Sequence, residues 1–159
     1  MTETAGFFDE TYDAEQLPDP LPAEPFGLFE AWFLDAEGRV SVPNVNSMCL
    51  STVDGAGQPS SRMVLCKEIE KATGSVVFYT NYNSRKGREL AANPRCALLL
   101  HWDEIGRQVR IEGRAMQSEP EAADRYFASR HWASRLGACA SDQSEPIESR
   151  AALIEKVMT

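Results

Sequence analysis

Short apolar or alternating segments separated by turn residues run from residue 47 to residue 118, and this pattern constrains the fold more than any other. Two of the separating sequences, Asp54-Gly55-Ala56-Gly57 and Lys71-Ala72-Thr73-Gly74, stand where tight hairpins need positive φ angles. The pattern predicts an antiparallel barrel or sandwich. Its strands are predicted near residues 47–54, 60–70, 75–82, 96–103 and 107–117.

Helical patterns flank this strand region. Apolar residues recur at intervals of three and four between Pro25 and Glu37, which predicts an amphipathic helix. The segment from Ser84 to Asn93 predicts a short helix inserted between strands, with Ser84 as its N-cap. Further helices are predicted over 119–130, near 132–140 and from 146 to the end. The predicted class is therefore mainly β with flanking helices.

Acidic residues are concentrated at one end of the chain. The first 37 residues contain ten of the 24 acidic residues and no Lys or Arg, so residues 38–159 hold all 16 cations and a net charge of +2. Residues 1–24, which are also rich in proline, are predicted to form a mobile arm, and residues 25–159 a single domain. The body can hold a phosphate locally, but it lacks the basic stripe of a nucleic-acid binder.

Several classes of protein are excluded by what the sequence lacks. It has no Walker loop, no dinucleotide fingerprint and no G-x-S-x-G motif. Its two histidines have no evident catalytic partners, and its four cysteines lack metal-ligand spacing, so we expect no metal and a reducing compartment. No apolar run is long enough for a membrane span, and we expect a cytoplasmic protein.

The densest chemical signal surrounds the predicted N-terminus of the helix at Ser84. Arg85, Lys86 and Arg88 lie in its first turn, where cations are normally disfavoured by the helix dipole. Their presence is explained if an anion such as a phosphate binds there. A solvated basic turn is the alternative.

Three further segments carry weaker signals. The strand Arg62–Lys67 has a cation at each end, and alternation places Arg62 and Lys67 on opposite faces. On the strand 107–114, Gln108 offers a neutral amide that can bind the polar edge of a ring. The loop 141–144 is polar. The alternative for Arg62–Lys67 is a strand whose charged ends are merely solvated. For 107–114 it is a strand with one solvent-exposed face, and for 141–144 it is a linker.

Tyr126, Arg130 and Ser134 are spaced at intervals of four. If one helix continues through residues 131 and 132, a phenol, a guanidinium and a hydroxyl share one face, which is a good donor set for a phosphate. The alternative is an ordinary amphipathic helix packed through Phe127 and Trp132. A chain that has local anion-binding sites but few candidate acid–base residues would depend on a cofactor for its reaction.

Taken together, these segments resemble a known family. The sequences R-M-V-L-C-K, V-F-Y-T-N-Y-N-S-R-K-G-R-E-L, N-P-R, R-Q-V-R-I-E-G, Y-F-A-S-R and S-D-Q-S occur in the order found in the pyridoxamine 5′-phosphate oxidase family of FMN-dependent split-barrel flavoproteins. The resemblance covers about residues 43–150 and implies an antiparallel split β-barrel of the FMN-binding type.

The resemblance also implies the site residues. The residues that would bind FMN are Arg62, Met63, Val64, Leu65, Lys67, Tyr79, Thr80, Ser84, Arg85, Lys86 and Gln108. Of these, Arg62, Arg85 and Lys86 would hold its phosphate. Gln143 and Ser144 would reach FMN from a second subunit of a homodimer. The substrate phosphate would be bound by Lys67, Tyr126, Arg130 and Ser134, and no catalytic group is expected beyond the orienting Lys67 and Arg130.

The family's reaction transfers a hydride from C4′ of pyridoxamine or pyridoxine 5′-phosphate to the flavin, and O₂ reoxidises the flavin to give pyridoxal 5′-phosphate and hydrogen peroxide. A related oxidase acting on another aromatic substrate, as in phenazine biosynthesis, is one alternative. A non-catalytic module that binds FMN or pyridoxal phosphate is another.

The sequence departs from the family in two respects. Cys66 replaces an aliphatic residue, and the segment Asn44–Met48 varies a more regular E-P-N-A-M sequence. Family members also continue into strands that bear a Trp and an Arg for FMN and an R-x-H sequence near the substrate ring. We expect the sequence to be part of a longer protein.

Overall fold

The computed structural model describes residues 17–158, so most of the predicted acidic arm lies outside the described residues. Six strands and five helices follow one another along this part of the chain, with one 3-10 turn. In chain order they are α1 (Phe26–Arg39), β1 (Ser47–Val53), β2 (Pro59–Leu65), β3 (Glu68–Glu70), β4 (Ser75–Val77), α2 (Arg85–Ala92), β5 (Arg95–Trp102), the 3-10 turn (Asp103–Ile105), β6 (Arg107–Arg114), α3 (Pro120–Ser129), α4 (Trp132–Ala140) and α5 (Arg150–Met158).

The strands form a four-stranded sheet in the order β2-β1-β5-β6 and a two-stranded sheet of β3 and β4. In the smaller sheet the strands are antiparallel, with Ile69 opposite Val76. The predicted hairpin turns are confirmed, since Gly57 and Gly74 have φ angles of 86° and 63°. The Asp54 carboxylate accepts the backbone N–H groups of Ala56 and Gln58 at 2.9 Å and so closes the first turn.

The predicted strands end early in the structure: β1 and β5 by one residue, β6 by three residues at Arg114, and two others by more. The strand predicted over 60–70 is interrupted at Cys66 and Lys67, because Asn46 exchanges hydrogen bonds with Cys66 and the Lys67 N–H turns to the carbonyl of Val77. The strand predicted over 75–82 ends at Val77. A turn follows in which the Asn81 side chain accepts the Asn83 N–H at 2.8 Å.

The chain divides into two compact units, each formed by three stretches of sequence. The first unit comprises the described residues up to Cys49, together with Met63–Phe78 and Leu98–Ile111. Here α1 packs Phe33 edge-on against Trp102, whose indole N–H donates to the carbonyl of Val45 at 2.9 Å. The buried Arg107 pairs with Asp35 at 2.5 Å and lies over the ring of Trp32. The predicted amphipathic helix is thus confirmed.

The second unit comprises Leu50–Arg62, Tyr79–Ala97 and the described residues from Glu112 onward. Its interior is polar as well as apolar, because Thr52 and Ser84 are fully buried beside Leu50. None of the described residues of α3, α4 and α5 is buried. No helix among residues 17–158 is both long and apolar enough to cross a membrane.

Candidate functional site

The N-terminus of α2 carries the basic cluster predicted from the sequence. Ser84 is the N-cap, as predicted: its hydroxyl accepts the Gly87 N–H at 3.3 Å and donates to the carbonyl of Asn81 at 2.6 Å. Because the serine has an extended backbone and is fully buried, it fixes where the helix begins. The next two residues, Arg85 and Lys86, are therefore held in the first turn.

Lys86 is buried, which is unusual for a lysine. Its ammonium donates to the Ser84 hydroxyl at 3.2 Å and to the side-chain oxygen of Gln143 at 2.6 Å. Burial, followed by the nearby charge of Arg62, lowers the pKa of Lys86 below its ordinary value of 10.5. Within residues 17–158 no carboxylate pairs with this ammonium, so the structure contains a buried cation whose charge is not balanced by an acidic partner.

A buried carboxylate, that of Glu89, lies one turn further along α2. It accepts hydrogen bonds from the hydroxyls of Thr52 and Ser60 and from the guanidinium groups of Arg62 and Arg85. Burial alone would raise the pKa of Glu89, but these four donors outweigh it and lower the pKa to about 2. Glu89 is therefore ionised at any physiological pH.

Glu89 was missed by the sequence reasoning. The available signal was its spacing of four residues from Arg85, which is typical of a helical ion pair and matches the observed Nε–Oε1 distance of 2.8 Å. The contacts with Thr52 and Ser60 span 37 and 29 residues, and no local pattern indicates them.

The two arginines that contact Glu89 are engaged to different extents. Both terminal nitrogens of Arg62 donate to protein acceptors: Nη1 to Leu50 and Thr52, and Nη2 to Ser60 and Glu89. Arg85 contacts Glu89 through Nε alone and is about half exposed. Its Nη1 and Nη2 have no partner among the described residues, so they are available to an anion.

Along β2 the predicted alternation is confirmed. Val64 is buried, whereas Met63 is 61% exposed. Past the end of the strand, Lys67 lies on a cleft of about 400 Å³ in the first unit, lined also by Phe33, Asn46 and Cys66. On β6 the predicted alternation also holds at its start, since Gln108 is exposed and Val109 is half-buried.

The helix does not continue through Tyr126, Arg130 and Ser134, because the chain forms the two separate helices predicted over 119–130 and near 132–140. α3 ends at Ser129, and Arg130 has an extended backbone with a ψ angle of 148°. α4 begins at Trp132, where the His131 ring nitrogen Nδ1 accepts the Ala133 N–H. The three side chains thus do not lie on one helical face. Tyr126 instead stacks on Tyr79 with 3.9 Å between ring centroids and 5° between planes.

The loop after α4 lies against the N-terminal part of α2. Besides the contact of Gln143 with Lys86, Glu145 accepts from Arg88 at 2.8 Å. Between them, Ser144 has a positive φ angle of 75°. Gln143 and Ser144 were expected to come from a second subunit, whereas the structure places Gln143 against Lys86 of the same chain. Thr80, Tyr79 and Ser134 are placed in this second unit as well.

The four cysteines differ in their exposure. Cys66 is buried, Cys49 and Cys96 are half-buried and Cys139 is exposed. Across residues 17–158, no group of three or more His, Cys, Asp or Glu side chains could hold a metal ion.

Comparison with known proteins bears on this arrangement. Residues 34–158 match the family model described as pyridoxamine 5′-phosphate oxidase. A pyridoxine/pyridoxamine 5′-phosphate oxidase of Burkholderia thailandensis is 55% identical over 129 residues, and one of Paraburkholderia phymatum is 53% identical over 129 residues. Each alignment covers 81% of this chain. The chain spans 59% of the length of these two curated relatives.

Solved structures are similar as well. The crystal structure of PhzG from Burkholderia lata 383 in complex with tetrahydrophenazine-1-carboxylic acid is 31% identical, with a TM-score of 0.83 over 91% of this chain and 71% of that chain. That of a pyridoxamine 5′-phosphate oxidase-related, FMN binding protein from Nostoc punctiforme is 17% identical, with a TM-score of 0.66 over 84% of this chain and 73% of that chain.

These structural likenesses confirm the expected fold, a split-barrel type with mainly antiparallel strands and flanking helices. The family match covers most of the chain, and the relatives are identical at more than half of the aligned positions. The chain belongs to the pyridoxamine 5′-phosphate oxidase family.

Proposed function

We propose that this chain binds FMN and acts in the oxidation of pyridoxamine or pyridoxine 5′-phosphate to pyridoxal 5′-phosphate, with O₂ reduced to hydrogen peroxide. The names of the Burkholderia and Paraburkholderia relatives, which are more than 50% identical, support the substrate class. FMN, when bound, supplies the hydride acceptor. The chain's own residues then bind and orient the two reactants.

The observation that carries this proposal is the buried ammonium of Lys86. A buried cation without a carboxylate partner is costly unless an anion compensates it. The N-terminus of α2 and the two Nη groups of Arg85 add further donors at the same end of the helix. This donor set fits a phosphate monoester such as that of FMN.

We assign the remaining FMN contacts, as the family resemblance implies, to Arg62, Met63, Val64, Leu65, Lys67, Tyr79, Thr80, Gln108, Gln143 and Ser144. The substrate phosphate is assigned to Lys67, Tyr126, Arg130 and Ser134, which would hold the reacting carbon against the flavin. These assignments, the homodimer and the cytoplasmic location stay predictions.

A second candidate is oxidation of a phenazine-type substrate. It is favoured by the likeness to PhzG, whose structure contains tetrahydrophenazine-1-carboxylic acid. This reading keeps the phosphate donors of α2 and changes only the substrate. A module that binds FMN without catalysis is a third possibility.

The visible spectrum of the purified chain tests the proposal. We expect a flavin band that bleaches when pyridoxine 5′-phosphate is added without oxygen and recovers in air. Bleaching only with tetrahydrophenazine-1-carboxylic acid would support the second candidate. A flavin band that neither compound bleaches would support the binding module, and absence of binding even with added FMN would contradict all three.

A further inference from the structure

The buried carboxylate of Glu89 contacts two of the three cations expected to bind the phosphate, yet nothing in the family resemblance gives it a role. It lies on α2, and its hydroxyl donors come from β1 and β2. A carboxylate has about four lone-pair sites, and four side chains occupy them here. The group is therefore fully committed to the protein and does not itself bind a ligand.

The two arginines approach different oxygens of this carboxylate. Arg85 donates from Nε to Oε1 at 2.8 Å, and Arg62 donates from Nη2 to Oε2 at 3.1 Å. The bond through Nε fixes the plane of the Arg85 guanidinium while both of its Nη groups keep their hydrogens. Arg62, by contrast, donates from both Nη groups to acceptors of the protein.

We infer that Glu89 is a positioning residue, which holds Arg85 by Nε so that its two Nη groups bind the phosphate of FMN. This inference rests on the proposed binding of FMN. Glu89 thus acts on FMN through Arg85 and does not itself contact the phosphate.

The substitution Glu89→Gln tests this inference. A glutamine has one side-chain acceptor oxygen and cannot serve two arginines that approach different oxygens. We expect FMN to bind about tenfold more weakly, the loss typical of one charged hydrogen bond. Riboflavin, which lacks the phosphate, should lose less than about twofold. Flavin fluorescence titration measures both constants, and the exposed Glu121→Gln is the matched control, with no change expected for either ligand.

A double-mutant cycle shows whether Glu89 acts through Arg85. Arg85→Gln alone should also weaken FMN binding about tenfold. If Glu89 works through Arg85, the double variant should stay near that value instead of reaching about a hundredfold. The inference is overturned if the two losses of FMN affinity multiply in the double variant, or if Glu89→Gln weakens FMN and riboflavin binding equally. Neither result would contradict the proposal that the wild-type chain binds FMN. A wild-type chain that binds no FMN would instead overturn the proposed function.

Should Glu89→Gln fail to fold, Arg85→Lys provides the test, because Arg85 is about half exposed and its replacement leaves the buried network in place. The lysine keeps the charge but cannot donate to Glu89 and present two further donors in one plane. We expect FMN to bind about fivefold more weakly than in the wild-type chain. Unchanged affinity would mean that charge alone suffices and would overturn the inference.

Discussion

The ammonium of Lys86 donates a 2.6 Å hydrogen bond to the side-chain oxygen of Gln143, 57 residues further along the chain. This bond joins the first turn of α2 to the loop that follows α4. In this bond the buried ammonium donates one proton to a neutral amide, which does not neutralise the positive charge.

Replacing Lys86 by Met should affect the affinity for FMN and the stability of the folded chain in different ways. Since burial lowers the pKa of Lys86, the charged form is disfavoured in the protein without ligand. We expect the melting temperature of the flavin-free Lys86→Met variant to equal or exceed that of the wild-type chain, and its affinity for FMN to fall at least about tenfold. Thermal denaturation with and without FMN measures both. Lys71→Met removes an exposed lysine and should leave FMN affinity unchanged; undiminished FMN affinity in Lys86→Met would contradict the phosphate assignment.

The ion pair between Arg88 and Glu145 should hold the Gln143 loop against α2. Both side chains are about half exposed, so the pair contributes about 0.5 kcal/mol. Glu145→Gln should therefore raise amide hydrogen exchange across residues 141–149 by about twofold. Glu148→Gln makes the same charge change three residues away and should have no effect. Equal exchange in the two variants, or a difference that persists undiminished at high salt, would argue against the ion pair.

Acid should destabilise the chain partly through Glu89. Its pKa is about 2 in the folded chain against an ordinary 4.5, so its contribution to stability is complete above pH 4.5 and is lost as the pH falls toward 2. The contribution amounts to about 3 kcal/mol. Urea denaturation between pH 3 and pH 7 should show a smaller loss of stability in Glu89→Gln than in the wild-type chain. Parallel pH profiles for the two proteins would refute this.

The four thiols should react in distinct phases with a thiol reagent at pH 8. Cys139 is exposed, whereas burial raises the pKa of Cys66 to about 11 and also raises the pKa of Cys96. We expect Cys139 to react first, and Cys66 and Cys96 only slowly unless urea is present. Cys139→Ser should abolish the fast phase; a fast phase that survives this substitution would show that another thiol is accessible.

The sequence predicted an element well where that element depends on interactions between residues that are close together in the chain. Ser84 was predicted to cap α2, and it does, because a serine hydroxyl satisfies N–H groups only a few residues away. The inward and outward residues of β2 were predicted from alternation, since consecutive side chains on a strand point to opposite faces.

The structure interrupts the strand predicted over 60–70 and does not meet the condition of a continuous helix between Tyr126 and Ser134. A spacing of four residues places Tyr126, Arg130 and Ser134 on one face only if the helix continues, and the His131 ring instead caps a new helix. The strand predicted through Cys66 and Lys67 is broken by Asn46, which lies 20 residues earlier in the chain. Neither the histidine cap nor the asparagine contact has a distinctive sequence pattern.

The sequence by itself determined the family, the mainly antiparallel fold and the basic first turn of α2, because these depend on periodicity, turn residues and motifs that are contiguous in the chain. Only the tertiary structure decided how the charges of that turn are distributed. It buries Glu89 among Thr52, Ser60 and Arg62 and places Lys86 against the neutral Gln143, with no carboxylate partner among residues 17–158. These contacts exist only once distant segments have been folded together in a medium less polar than water.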